Sequence, residues 1–375
     1  MRLKQAVAVF GATLLLGGGL FALGCQSSAL TSGKLYMKQK KYDKARVQLE
    51  LAVEVEPGNA EAHYNLGRIC GLQGDYVDLA AAYDRAQELS PDFDEEIAKE
   101  RLRYWKRSFI DGERARAGQG ADLGTARRHF DTALRVLPDS LQAWRSRAFV
   151  DYQLGDMDAA LAGYGHVLEL APEDTTTAHV MGVIYLGEER YDEAVASFEH
   201  VLQYGEHRGA LVHLAKTQKQ WGQNDAAVAS LQRALVLDPA CFRCHHMLGN
   251  LYYSSDAHEQ AVESYRSAVE LRADDVDVRY NLAITHRAMG DLDAAQLLLE
   301  TLSVDDPDNV DVRYNLAIIH LDMGDLDAAQ PLLETLSVDD PGNGKVWYKL
   351  GRIYALQARI PESEAAYERA EALGQ

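Results

Sequence analysis

Cys241-Phe242-Arg243-Cys244-His245 is the stretch richest in potential chemistry: two thiols three residues apart, followed at once by an imidazole. At that spacing two thioether bonds can hold a haem while the histidine ligates its iron, which would make the chain an electron carrier. The same thiols can instead close a local disulfide or stay reduced, with a helix N-terminus lowering one thiol pKa. A zinc site would call for a second such pair; His246 adds one donor, but no other C-x-x-C exists and no metal is expected. The place of His245 is filled elsewhere by His63, Trp144 and Trp347, which marks an ordinary packing position.

The remaining titratable clusters read as structure. Asp274-Asp275-Val276-Asp277, Asp305-Asp306-Pro307-Asp308 and Asp339-Asp340-Pro341 lack the D-x-[DN]-x-[DN]-G loop that wraps calcium, and aspartate beside a helix start caps it. His286 and His320 hold equivalent places 34 residues apart, a packing pattern. No Ser/His/Asp set, catalytic carboxylate pair or phosphate-cradling glycine loop stands out, so no enzyme is expected. A net charge of −19 over 375 residues excludes a general nucleic-acid binder, and 47% hydrophobic content with nine prolines excludes general disorder. The charge is uneven. Residues 99–128 carry +5, while 270–343 carry −13. Arg101, Arg103, Lys106 and Arg107 form a candidate basic patch for cell-wall polymer, lipid headgroups or an acidic protein; the plainer reading is a solvated face.

Residues 1–25 read as an address. Arg2 and Lys4 precede an uncharged run from Ala6 to Gly24, and small Gly24 precedes Cys25, the order of a secretory signal. Ala22-Leu23-Gly24-Cys25 resembles the lipobox of bacterial lipoproteins. The resemblance implies loss of residues 1–24 and acylation of Cys25, palmitate among its chains, which together make a stable membrane anchor. Gln26 in place of an aspartate implies an outer membrane and a periplasm-facing chain. An uncleaved transmembrane anchor is the alternative, since 19 apolar residues nearly span a bilayer.

What positions these groups is a repeat. Val276–Asn309 and Val310–Asn343 are identical at 29 of 34 positions. The same skeleton recurs along the chain: Leu-Gly or Leu-Ala at Leu66, Leu214, Leu248 and Leu350; a glycine turn at Gly74, Gly155, Gly222, Gly290 and Gly324; then Ala with an aromatic or Leu four residues on, as in Ala194/Phe198 and Ala261/Tyr265. Small residues let two helices approach and rings fill the gap between them. The pattern resembles the tetratricopeptide repeat (TPR). That resemblance implies an all-α solenoid, a right-handed superhelix of about ten helix-turn-helix units forming one elongated domain over residues 25–375. The units would be 26–59, 60–93, 94–140, 141–174, 175–207, 208–241, 242–275, 276–309, 310–343 and 344–375. About 13 extra residues in the third keep helical spacing at Ile97, Leu102, Trp105 and Phe109, which predicts a lengthened helix.

In TPR folds the first helix of each unit lines a groove, and an asparagine before the Leu-Gly/Ala pair can bond the backbone of an extended peptide. Here that residue is Asn65, Asn281 and Asn315, each after a tyrosine: Tyr64, Tyr280 and Tyr314. An amide both donates and accepts, so it can satisfy a peptide group. Ser146, Val180, His213, Met247 and Lys349 interrupt the series. The expectation is a non-enzymatic scaffold for protein or peptide partners, without a cofactor. It resembles the TPR lipoproteins of secretin and type IV pilus assembly, or those that escort cell-wall hydrolases. A periplasmic electron-transfer protein with one haem at Cys241/Cys244/His245 is the alternative.

Overall fold

The computed structural model describes residues 28–117 and 120–375, so Cys25 and the apolar run before it lie outside the described residues. The chain divides into two compact units, 1–163 and 164–375. Each unit is a run of helix pairs.

The first unit pairs α1 (Ser28–Lys38) with α2 (Tyr42–Val55), α3 (Ala60–Gln73) with α4 (Tyr76–Leu89) and α5 (Asp94–Arg116) with α6 (Leu123–Val136). It ends in α7 (Leu141–Gln153) and the opening residues of α8 (Met157–Leu170). In the second unit α9 (Thr175–Gly187) pairs with α10 (Tyr191–Gln203), α11 (Arg208–Gln220) with α12 (Asn224–Leu237) and α13 (Phe242–Ser254) with α14 (His258–Leu271). Then come α15 (Val276–Ala288) with α16 (Leu292–Asp305), α17 (Val310–Met323) with α18 (Leu326–Asp339) and α19 (Gly344–Leu356) with α20 (Ile360–Ala372). No strand occurs among the described residues. The extra residues of the third repeat do form helix, in the 23-residue α5.

Each pair is held by one seat. Where the first helix carries glycine, the residue 16 positions on is usually a ring: Gly67 faces Tyr83, Gly182 faces Phe198 and Gly249 faces Tyr265. A methyl group at Gly249 would sit 2.5 Å from a Tyr265 ring carbon, closer than atoms can approach. Where the first helix carries alanine, leucine takes the same position, as in Ala283/Leu299 and Ala317/Leu333, all fully buried. The exchange conserves volume across the interface, which a close-packed core requires.

The turn inside each pair needs one left-handed residue. Glycine supplies it at Gly74, Gly155, Gly222, Gly290 and Gly324, with φ between 79° and 82°. The same place is held at φ 57–58° by Lys40, Glu189, Asp256 and Ala358, where a side chain strains the backbone. Many helix starts are capped by a side chain. Asp275 accepts from the Val278 amide at 3.1 Å, Asn309 from Val312 at 3.1 Å and Asp325 from Ala328 at 3.1 Å. Two members of the acidic clusters do something else. Asp305 accepts from Arg279 at 2.7 Å and Asp339 from Arg313 at 2.9 Å, the same bond copied one repeat on. Pro331 lies in the second turn of α18, past the donors that are free in any case, and the helix continues without that bond.

Two stability predictions follow from the seat and the turn. Gly249→Ala is expected to lower unfolding stability by about 1–2 kcal/mol despite its better helix propensity. Adding Tyr265→Leu should recover part of that loss, and strict additivity in a double-mutant cycle would refute the seat. Ala358→Gly is expected to raise stability by about 0.5–1 kcal/mol in denaturant unfolding, since relief of the left-handed strain exceeds the entropy that glycine adds to the unfolded chain.

Candidate binding groove

The expected groove residues do not share one fate. In the first unit Tyr64 stacks on Phe93, ring centres 4.7 Å apart, and burial pushes its hydroxyl pKa up. Asn65 is buried, and its amide donates to the Glu61 carbonyl of its own helix at 2.8 Å. It is a helix-internal bond where an accessible rung was expected.

In the second unit the asparagines reach across repeats. The Asn315 amide nitrogen donates to the Tyr280 hydroxyl oxygen at 2.7 Å and to the Asp311 carbonyl at 3.0 Å. Its two hydrogens are thereby used, while its carbonyl oxygen and the hydroxyl hydrogen of Tyr280 have no partner among the described residues. An acceptor and a donor therefore lie side by side, the complement of one peptide group. Asn281 is held more loosely, its amide nitrogen 3.5 Å from both Asn250 Oδ1 and His246 Nε2. Asn250 also accepts from the Tyr265 hydroxyl at 2.6 Å. Tyr314 is half-buried against the α17–α20 core.

A line of histidines runs beside them, and looking only for asparagine misses it. His179, His213 and His246 lie on α9, α11 and α13, His213 in the asparagine rung and His179 and His246 one residue before it. His179 Nε2 lies 2.8 Å from His213 Nδ1, and His207 stands 5.7 Å from His179 between ring centres. Burial pushes His213 down to about 4, with the charges of His179, Lys216 and Arg243 acting the same way, so it is neutral at pH 7. Burial also lowers His179 and His246, with Asp275 and Asp277 partly opposing it at His246. His213, Arg243 and His246 line an open cavity of about 630 Å³ together with Cys241 and Phe242. Among the described residues no three histidine, cysteine, aspartate or glutamate side chains converge as a metal ion would need.

Cys241 and Cys244 are joined to one another as a disulfide at the start of α13. His245 Nε2 meets the Pro239 carbonyl at 3.0 Å, six residues back. His63, Trp144 and Trp347 make the same contact with Pro57, Pro138 and Pro341. His245 thus acts as a helix-start staple here. Cys70 is a buried free thiol, pushed up to about 11 by that burial.

The basic patch loses its first member. Arg101 is buried, donating to the Val136 carbonyl at 3.0 Å and to Asp84 at 2.5 Å, with its guanidinium over the Tyr83 ring. It ties α5 to the middle of α4 and to the end of α6. Arg103, Lys106 and Arg107 are exposed, Arg103 lying on the Tyr104 ring.

Family models agree with this architecture. Those described as tetratricopeptide repeat match residues 30–92, 176–204, 209–241, 280–329 and 314–375, and one described as TPR repeat matches 249–290. The chain belongs to the tetratricopeptide repeat family. The TPR chain is 29% identical over 257 residues to superkiller complex protein 3 of Mus musculus, covering 66% of this chain and 16% of that protein. It is 21% identical to the TPR repeat-containing protein YpiA of Bacillus subtilis, covering 72% of this chain and 53% of the other. Among solved structures it is similar to YrrB, a TPR protein with an unusual peptide-binding site: 23% identity, 48% of this chain, 93% of that one, TM-score 0.42. It thus spans one sixth to about half of these curated relatives.

The histidine line carries a pH prediction. A histidine whose folded pKa lies below its unfolded value of 6.5 lends stability that is complete above pH 6.5 and is lost as pH falls towards 4. The unfolding midpoint should therefore fall between pH 7 and 5. His213 accounts for less than about 1 kcal/mol per pH unit, because the ring is only part-buried and solvent screens it. His213→Phe should flatten that slope in thermal melts; an unchanged slope would remove His213 from the account.

Proposed function

We propose that this TPR protein is a non-enzymatic scaffold that holds an extended protein segment along the first helices of its repeats, while Cys25 tethers it to the bacterial envelope. The observation that carries the binding half is the unpartnered acceptor and donor set side by side by Asn315 and Tyr280. A strand of peptide offers an N–H and a carbonyl at each residue, and a half-buried pair of this kind satisfies both without reorganising. Membership of the TPR family supports the same reading, and YrrB is a relative in fold with a peptide-binding site.

The tether rests on residues 1–25, whose charged start, apolar run and Gly24-Cys25 junction have the order of a lipoprotein signal. Among the described residues no helix is long and apolar enough to cross a membrane. Acylated at Cys25, the repeats would face the periplasm from the outer membrane, where pilus, secretin or cell-wall assemblies offer partners.

One preparation tests both halves. Protein taken from its host's membranes is expected to lack residues 1–24 and to carry acyl mass on Cys25; an uncleaved chain would put a transmembrane anchor in its place. A photo-crosslinking residue at position 314 should join one envelope protein, and Asn315→Ala with Tyr280→Phe should reduce that product about tenfold, a loss of about 1.4 kcal/mol. Crosslinking to nothing would sink the scaffold.

A further inference from the structure

The charges of the middle repeats are sorted by helix. The first helices α9, α11 and α13, of 13 residues each, hold no aspartate or glutamate, in a chain with 57 such residues among 375. They hold Arg208, Lys216, Lys219 and Arg243, and His179, His213, His245 and His246. Their partners α10, α12 and α14 carry the acids of the same repeats: Asp192, Glu193 and Glu199, then Asp225, then Glu259, Glu263 and Glu270, with Arg233 on α12 and Arg266 on α14 beside them.

Most of these cations are not neutralised within the fold. Arg208 reaches Asp238 at 3.1 Å, but Lys216, Lys219, Arg243 and Arg272 have no carboxylate partner among the described residues. Gly209, Val212 and His213 form one face of α11, and Lys216 and Lys219 continue it at helical spacing. Gly209, Val212 and His213 line the 630 Å³ cavity together with Arg243, His246, Arg208 and Arg272; Lys216 and Lys219 lie further along α11, outside its lining. The charges that act on His213 are all positive: His179, Lys216 and Arg243. The surface is not purely polar. Phe242 lies under the Arg272 guanidinium, 4.3 Å from ring centre to carbon, and Leu271 and Val212 line the same cavity. A second hollow of about 220 Å³ beside it is formed by His179, Val180 and Val201.

Like charges gathered on one face repel, and an anionic partner would relieve that repulsion. A polyanion with a uniform charged backbone fits poorly, because Phe242, Leu271 and Val212 lie among the cations and the carboxylates of Asp275, which caps α15, and Asp277 act on His246 from one side. We infer that the faces of α9, α11 and α13, with the end of α14, bind an extended acidic segment of a protein partner, its carboxylates on Lys216, Lys219, Arg243 and Arg272 and its apolar side chains on Phe242, Leu271 and Val180. This rests on the scaffold reading and gives its partner a chemistry.

The probe is a fluorescent peptide of about twelve residues alternating glutamate with leucine and serine, about 40 Å when extended, with a glutamine-for-glutamate copy and an oligothymidylate as controls. With the full chain, the glutamate peptide should bind at least about tenfold more tightly than the glutamine copy and weaken about tenfold between low and 0.3 M salt. Lys216→Glu/Lys219→Glu/Arg243→Glu changes three exposed side chains and should abolish that preference with an unchanged melting temperature. Arg243→Gln alone should reduce it by a smaller factor. Equal affinity for both peptides, or undiminished binding by the triple variant, would overturn the inference. So would equal binding of the oligothymidylate, or a wild-type dimer in sedimentation that the triple variant dissolves, since the face would then take nucleic acid or a second copy. A position-314 crosslink that survives any of these results leaves the scaffold standing; its loss alongside intact peptide binding would count against the scaffold and not the acidic face.

Discussion

A ring seated against a glycine, or a leucine against an alanine, sixteen residues apart sets the distance between the two helices of a repeat. A large side chain buried this way contributes about 1.5–3 kcal/mol relative to exposure, and it does so only while the opposing residue stays small. Everything else in each pair follows from that spacing. It fixes where the left-handed turn must fall, which cap residue begins the next helix, and which face of the first helix is left for solvent or a partner. Repetition then makes the core without any central cluster. The buried residues of α11–α13, of α15–α17 and of α17–α20 form separate local cores along the second unit.

The fold was legible because this constraint is periodic. Small residues, turn glycines and rings return in the same order, and the duplicated blocks from Val276 to Asn343 show the period directly. The turns without glycine were less visible: nothing in Lys40, Glu189, Asp256 or Ala358 as residue types suggests a left-handed backbone, and only their register requires it. The candidate site was legible in part. Tyr280 and Asn315 were found by register, but the bond between them, from one repeat to the next, was not, since spacing says nothing of which hydrogen points where. Asn65 has the same neighbours in sequence and turns inward to Glu61. Arg101 misled for a different reason. A run of cations looks like surface, and its acceptors, Val136 and Asp84, lie 35 and 17 residues away.

Charge tells a similar story at longer range. Counting along the chain finds a basic stretch at 99–128 and an acidic one at 270–343, yet averages away the sorting between first and second helices in the middle repeats. That sorting alternates within each repeat, so a window longer than one helix adds both signs together. Its energetic meaning is also hidden from a sum. Ion pairs such as Arg279–Asp305 quiet the acidic repeats from within, whereas Lys216, Lys219 and Arg243 are exposed and have no carboxylate partner among the described residues.

The copied bonds, Arg279 to Asp305 and Arg313 to Asp339, show that α15–α16 and α17–α18 present nearly the same surfaces to what precedes and follows them. Either block could be lost, or a third gained, and each junction would still meet a matching face. The number of repeats is therefore a quantity that inheritance can adjust in steps of 34 residues without inventing a new contact, lengthening or shortening the binding surface as a partner's own length drifts.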